Sequence, residues 1–278
     1  MKSTLEAASV RRICHVLNVN RSSLECRRTP KGRRSSDEPD ALESRIHELI
    51  KEHPTFGYRR IWALLRFREG LQINRKAVYR RMRGRGWMVH QRQPLARPRV
   101  RSSRSVADAS DVRWATDVTH IPAGADGWAH LAAVIDCHDR EIIGWELALR
   151  SSAKEAERAL EGACLRRFGT LRPEGTTPVL RSDNGLIFQS KPFRGACRDY
   201  RITQEYITPY TPEQNGLIER FFRSLKEECT WQHRFESLED ARRVIAKWIR
   251  WYNHERPHQS LGYRSPRQFR SQQPQFVA

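Results

Sequence analysis

The chain has 278 residues, of which 38% are hydrophobic, and its mean hydropathy is -0.75. That length is enough for one large domain or two to three small ones, with a core beneath a strongly polar surface. No apolar run approaches the roughly 20 residues that a membrane span needs, and the first residues lack the apolar region of a signal peptide. The six cysteines form no C-x-x-C pair, which argues against a zinc ribbon or a redox pair and favours reduced thiols in a cytosolic protein.

The net charge of +19 is concentrated at the front of the chain. Residues 1–105 hold 26 Lys+Arg and 9 Asp+Glu, whereas residues 106–278 hold 25 and 23. This asymmetry predicts a nucleic-acid-binding front joined to a near-neutral body.

The first 40 residues read as a short helical segment followed by a basic linker. Residues 9–26 place apolar side chains around an Asn-rich turn, which fits either a short helix-turn-helix or an amphipathic helix that only packs on its neighbour. Residues 27–40 are basic and rich in Pro and Ser, as linkers are.

Residues 41–90 predict a domain of three helices. Apolar side chains recur at helical spacing in each segment, and Asn74 is the expected N-cap of the third helix. That helix should expose a basic face for DNA, formed by Arg75, Lys76, Tyr79, Arg80 and Arg83. Two interpretations stay open, a recognition helix in a major groove and a face that contacts phosphates only. A second basic linker follows at 91–110.

From residue 111 the hydrophobic period becomes that of strands. Strands are expected at 112–121, 128–134 and 141–149, then a helix at 153–168, a strand ending at Asp183, a helix near 191–200, a strand near 202–207 and a helix after residue 211. This order is typical of an RNase H-like α/β fold, assigned here to residues 111–231. Residues 232–278 would add a C-terminal helix and tail.

Three acids stand out on these elements. Asp117 lies in the middle of the first strand, Asp183 follows a short buried strand, and Glu219 lies at the edge of an apolar helical stripe. Asn215 and Lys226 share the helix face of Glu219. The string Thr211-Pro-Glu-Gln214 fits a capping box that starts this helix.

Carboxylates gathered from two strands and a helix would repel one another unless cations lay among them. The cluster therefore predicts divalent metal, for which oxygen ligands are suitable. Two Mg²⁺ ions about 3.5–4 Å apart are the arrangement that catalyses phosphodiester transfer.

The strings around these acids carry a resemblance. With 35 residues between Asp183 and Glu219 and Lys226 seven beyond, the set resembles the D-D-35-E signature of transposases and retroviral integrases. The strings W-x-x-D-x-T, S-D-N-G and P-x-x-N-G-x-x-E-R-F-x-x-x-L-K resemble OrfB-type transposases of the insertion-sequence-three family. The tail is similar too, with Tyr252-Asn-His-Glu-Arg-Pro-His258 and then Leu261-Gly-Tyr-Arg-Ser-Pro266.

The resemblance implies a DNA transposase with an integrase catalytic core, preceded by a helix-turn-helix DNA-binding domain at residues 41–90. It implies catalytic, metal-binding roles for Asp117, Asp183 and Glu219, two Mg²⁺ ions that Mn²⁺ can replace, and DNA contacts by Lys226 and Asn215. It also implies double-stranded DNA as substrate, a homodimer or larger assembly on DNA, an upstream-frame fusion partner in some members, and a bacterial cytoplasmic, nucleoid-associated location.

Several alternatives compete with this interpretation. Asp136 resembles a position common in the family, but an Asp at a strand end is more often structural. His254 and His258 are four apart, yet Pro257 argues against a helical metal pair. A tyrosine recombinase centred on Tyr252 would leave the three acids idle. The chain could instead be a non-cutting DNA-binding protein, or an RNase H-type nuclease that only hydrolyses.

Overall fold

The fold is described from a computed structural model, which covers residues 14–16, 40–89, 107–208 and 211–273. The chain divides into two compact units, residues 1–44 and 45–278. In the first unit residues 14–16 are helical; the rest of the expected 9–26 motif, most of the 27–40 linker and residues 91–106 of the second linker lie outside the described residues. No helix among the described residues is long and apolar enough to cross a membrane.

Helices lead into the second unit. They are α1 (Ala41–Glu52), α2 (Tyr58–Ala63), which continues as a π-helical turn (Leu64–Arg68), and α3 (Arg75–Gly84). Their buried residues follow the predicted apolar pattern, including Ile46, Leu49, Ile61, Leu65, Val78 and Met82. The Asn74 side chain caps α3, as predicted, by accepting a hydrogen bond from the Lys76 N–H at 2.8 Å.

A five-stranded sheet forms the centre of this unit. Its strands are β1 (Arg113–Pro122), β2 (Trp128–Asp136), β3 (Ile142–Ala148), β4 (Val179–Ser182) and β5 (Thr203–Tyr206). The strand order is β3-β2-β1-β4-β5, with β1, β2 and β3 antiparallel and β4 and β5 parallel to β1. The predicted α/β, RNase H-like class is confirmed.

Helices cover both faces of the sheet. They are α4 (Ala153–Phe168), α5 (Leu186–Gln189), α6 (Lys191–Asp199), α7 (Gly216–Glu228), α8 (Leu238–His254) and α9 (Pro266–Ser271). Trp114 of β1 lies in one apolar core with α4 and α6, whereas Ala115 lies in the other with α7 and α8. Successive β1 side chains thus alternate between the two layers.

The front helices pack onto the layer that contains α7 and α8. Arg60 of α2 pairs with Glu228 at the end of α7, with 2.9 Å between Nη1 and Oε1. The rings of His53 and Phe56 lie 5.3 and 6.1 Å from that of Trp251 on α8. The domain boundaries expected from the sequence stay predictions.

Candidate active site and DNA-binding surfaces

Two neighbouring parallel strands bring Asp117 and Asp183 to the same level. Ala115 of β1 pairs with Arg181 of β4. Carried two residues further, that register places Asp117 level with Asp183, which directly follows β4. Asp117 is also two residues beyond Ala115, so it is on the face of the sheet covered by α7.

Helix α7 supplies the third acid. Its buried stripe of Ile218, Phe221, Phe222 and Leu225 packs toward the sheet, as predicted. Glu219 lies in the first turn, where the helix dipole favours a carboxylate. Glu219 and Lys226 lie on one side of α7, and Asn215 lies on the same side in the turn before the helix. We call this side, together with Asp117 and Asp183, the acid flank.

The predicted capping box at the start of α7 is wrong. A 3₁₀ turn (Pro212–Asn215) precedes the helix, which begins only at Gly216. The Thr211 hydroxyl donates to the Thr208 carbonyl instead of capping, and the Gln214 side chain accepts from the Thr208 N–H at 2.8 Å. The box fails because the tighter turn takes up the residues that would have formed its first helical turn.

The electrostatics of Asp117 connect the acids. Burial raises the pKa of Asp117 to about 7, against a hydrogen bond from the Val118 N–H. The charges of Asp183 and Glu219 raise the pKa further, while that of Lys226 lowers it. Burial and the nearby Glu213 also raise the pKa of Glu219. Asp183, Glu219 and Lys226 therefore lie close enough to Asp117 to influence its charge.

The three carboxylates suit a divalent cation by chemistry. They offer only oxygen ligands, and the raised pKa of Asp117 is what burial and like charges produce without a cation among them. Within the described ranges, however, no three His, Cys, Asp or Glu side chains are gathered into a set that could hold one ion. Asp117 Oδ1 accepts from Val118 and Asp183 Oδ1 from the Gly185 N–H at 3.0 Å, so each is held by its own backbone.

Buried Arg181 fixes the acid-bearing elements to one another, and sequence reasoning missed it. Its Nε and Nη2 lie 3.0 and 3.2 Å from the two carboxylate oxygens of Glu205 on β5. Its Nη1 donates to the carbonyl of Gln214 in the turn before α7, at 3.2 Å. The available signal was a charged residue inside the apolar strand that ends at Asp183.

The turn after Asp183 is tightly packed. The Asn184 side chain donates to the Ile207 carbonyl at 3.0 Å, which ties the turn to the end of β5. A Cβ added at Gly185 would lie 2.9 Å from Asp183 Oδ1, so a side chain there would displace the carboxylate. Both residues therefore position Asp183.

The predicted DNA-contacting residues differ in exposure. On α3, Arg75, Lys76, Arg80 and Arg83 are exposed, while Tyr79 is half-buried against Tyr58 with ring centroids 5.0 Å apart. On α7, Lys226 is half-buried and Asn215 is only 2% exposed. The Asn215 Oδ1 has no hydrogen-bond partner among the described residues.

The rival residues are structural. Asp136 is fully buried, and its carboxylate accepts hydrogen bonds from the backbone N–H groups of Asp111, His138 and Asp139. His258 is buried, and its ring lies 4.8 Å from that of Tyr252. Its burial and nearby arginines hold its pKa well below the usual range.

Comparisons with known proteins agree with this architecture. Models described as an integrase core domain match residues 107–212 and 200–266, and a model described as an HTH-like domain matches residues 37–94. A chain in a structure of the simian T-cell lymphotropic virus intasome, in complex with PP2A regulatory subunit B56 gamma, covers 84% of this chain and 76% of its own length. Its TM-score is 0.51 at 17% identity, which is a likeness of fold.

Curated relatives extend the match to nearly the whole chain. Transposase InsD for insertion element IS2A/D/F/H/I/K of Escherichia coli is 32% identical over 272 residues, which is 92% of this chain and 89% of that protein. Transposase InsD for insertion element IS2-9 of Escherichia coli (strain K12) has the same identity over 87% of its length. This chain therefore belongs to the insertion-sequence-three family of transposases, polynucleotidyl transferases with an integrase core that act on DNA.

Proposed function

We propose that Asp117, Asp183 and Glu219 are the catalytic acids of this transposase and bind two Mg²⁺ ions, for which Mn²⁺ can substitute. The proposal is supported by the strand register, which puts half-buried Asp117 level with Asp183, on the face of the sheet that α7 covers. Two such ions, when bound, activate an attacking oxygen and stabilise a leaving one. The carboxylate oxygens of Asp117, Asp183 and Glu219 would hold these ions.

The reaction is two successive phosphodiester substitutions at the ends of an insertion sequence. The oxygen of a water molecule attacks a terminal phosphodiester, and the broken P–O bond leaves a free 3′-hydroxyl. The oxygen of that hydroxyl then attacks a phosphodiester of a second duplex, forming the new strand and releasing another 3′-hydroxyl. No covalent enzyme intermediate forms. Lys226 binds a phosphate oxygen beside the scissile bond.

DNA recognition is assigned to the front of the chain. Helix α3 enters a major groove, and its DNA contacts are Arg75, Lys76, Tyr79, Arg80 and Arg83. Asn215 contacts the strand that is cut. Because Asn215 is buried, this contact requires the turn before α7 to shift when DNA binds.

The assembly follows from the substrate. Two element ends must be joined to one target, which calls for a homodimer or larger oligomer on double-stranded DNA. An upstream-frame segment fused to the chain would add contacts to the ends. The enzyme acts where bacterial DNA lies, in the cytoplasm at the nucleoid.

The test uses purified protein, Mg²⁺, a labelled element end and a target duplex. Asp183→Asn should abolish both cleavage and joining while leaving DNA affinity unchanged, because it removes a metal ligand and preserves shape. Asp199→Asn is the matched control, since Asp199 is exposed on α6 across the sheet. Near-wild-type cleavage by Asp183→Asn would contradict the assignment.

The same assay separates the alternatives. A nuclease of the RNase H type would cut the labelled end without transferring it into the second duplex. A DNA-binding protein that no longer cuts would do neither. The three acids, whose charges act together on Asp117, give no reason to prefer either alternative over a transposase.

A further inference from the structure

A second surface lies on the side of α7 away from the acid flank. Leu217, Arg220, Phe221 and Ser224 recur at helical spacing and line a cleft of about 970 Å³. Since successive helical residues are rotated by about 100°, Arg220 opens toward this cleft while Glu219 faces the other acids. We call it the arginine cleft.

The cleft has the composition of a polyanion site. Of the described residues that line it, none is acidic, while five are arginines and four are tyrosines. The arginines are Arg59, Arg60, Arg140, Arg220 and Arg256, and the tyrosines are Tyr58, Tyr79, Tyr252 and Tyr263. Cationic groups interleaved with aromatic rings are the features that bind nucleic-acid strands.

Only part of this positive charge is neutralised from below. The buried Glu228 carboxylate accepts from Arg256 at 2.7 and 2.6 Å and from Arg60 at 2.9 Å, so one negative charge serves two guanidinium groups. The side chains of Arg140 and Arg220 make no ion pair or hydrogen bond with any described residue; the Arg140 backbone N–H donates to the Asp136 carbonyl. An incoming anion would therefore find cations that are already in place and unpaired.

Backbone geometry adds to the case for Arg140. Arg140 has a φ of 63° and Tyr263 a φ of 66°, a region that ordinary side chains rarely adopt, and both line the cleft. Strained non-glycine residues are typical of functional sites. Burial and the nearby Arg220 lower the pKa of Arg140, so the unpaired guanidinium is held there at a cost in free energy.

We propose that the arginine cleft binds the phosphate backbone of a DNA segment, with Arg140 and Arg220 as the phosphate ligands. The inference rests on DNA being the substrate, but not on which residues cut it. Tyr79 of α3 also lines the cleft, so a duplex bound to α3 would run past the opening of the cleft. DNA is thus gripped on one side of α7 and cut on the other.

The test measures binding alone, with the full chain, a metal chelator and a short duplex of arbitrary sequence. Affinity is recorded over a range of salt concentrations for the wild type and for Arg140→Gln/Arg220→Gln. The double variant should bind more weakly, with a slope of log K against log salt shallower by roughly 2, because each lost phosphate contact removes about 0.9.

The matched control is Arg194→Gln/Arg198→Gln, which removes two exposed arginines from α6 on the opposite face of the sheet. A double variant of the cleft that keeps the affinity and slope of this control would overturn the proposal. Arg220→Gln alone, at an exposed helix position, should show about half the effect if the double variant folds poorly. Arg220→Lys should recover most of it.

A second arm separates the sources of phosphate. Inorganic phosphate binding that is lost in the double variant, with an unchanged DNA slope, would make this a small-anion site and overturn the DNA proposal. Because no cleavage is measured, the outcome is independent of the Asp183→Asn assay. Each proposal can therefore fail while the other stands.

Discussion

The two sides of α7 carry opposite charge, and on both sides a charged group has its pKa shifted toward the neutral form. On the acid flank, burial and like charges raise the pKa of Asp117, whereas in the arginine cleft they lower that of Arg140. In neither place does the ionised side chain form an ion pair with a described residue. Each cluster is therefore poised for a ligand of the other sign, a cation for the acids and a phosphate for the arginines.

The comparison also shows how one helix serves two ligands. Glu219 and Arg220 are neighbours in sequence, but helical rotation directs them to different surfaces. The buried stripe of α7 holds the helix against the sheet and separates the two surfaces. Variants on each side should accordingly change different measurements.

The largest expected effect is the loss of chemistry from the acid flank. Glu219→Gln and Asp117→Asn should each reduce cleavage at least roughly a thousandfold, since losing a metal site forfeits several kcal/mol of transition-state stabilisation. DNA affinity should stay within twofold of wild type. Glu239→Gln, at an exposed position of α8, is the control. Loss of affinity in step with cleavage would mean that the two sides of α7 are not separable.

The buried ion pair between Arg256 and Glu228, beneath the arginine cleft, should contribute to the stability of the fold. Arg256→Met should lower the free energy of unfolding by about 3–5 kcal/mol, because it leaves buried Glu228 with Arg60 alone. Arg243→Met is the matched control, since Arg243 is 77% exposed in its pair with Asp240 and its loss should change the free energy of unfolding far less. Denaturant titration of both variants measures the difference; equal losses would show that the pair is not buried in solution.

The acid flank should also set a pH dependence of stability in metal-free protein. With the pKa of Asp117 raised to about 7, the folded chain keeps a proton that the unfolded chain loses near pH 4. The contribution of Asp117 to the free energy of unfolding should thus be fully present below about pH 4. It should fall as the pH rises toward 7 and be lost above that. The change in the free energy of unfolding that Asp117 causes over this pH range should be at most about 4 kcal/mol, at 1.4 kcal/mol per pKa unit. Thermal melts of Asp117→Asn should lack this component; identical pH profiles would contradict the raised pKa.

The smallest effect concerns base recognition by α3. Arg75→Ala or Lys76→Ala should reduce discrimination between an element end and random duplex by about 1–3 kcal/mol per good base contact. Arg198→Gln serves again as the distant control. If both duplexes lose equal affinity, these residues contact phosphates only and the recognition-helix assignment is wrong.

The elements that carry the acids could be predicted because their signals are local. Asp117 lies on β1, Asp183 directly follows β4, and the stripe around Glu219 has the helical period, so each element could be predicted from its own residues. The turn before α7 could not be predicted this way, because Thr211 and Gln214 both have Thr208 as an alternative partner.

Features that depend on tertiary packing could not be predicted from the sequence. In the sequence Arg181 is a single charged residue within a short strand, and only the fold brings Glu205 and Gln214 to it. The arginine cleft combines residues between 57 and 263 that come from widely separated stretches of the sequence. Their common surface exists only once the front helices pack onto α7 and α8.

The claim that one side of α7 binds metal and the other binds phosphate is tested most directly by locating metal in crystals soaked with Mn²⁺. Anomalous scattering should place manganese between Asp117 and Asp183, with Glu219 turned toward it, and that signal should be absent from Asp183→Asn crystals. No manganese should lie in the arginine cleft. Manganese bound elsewhere and absent from these acids, in a protein that cuts DNA with Mn²⁺, would contradict the assignment of the acid flank as the catalytic site.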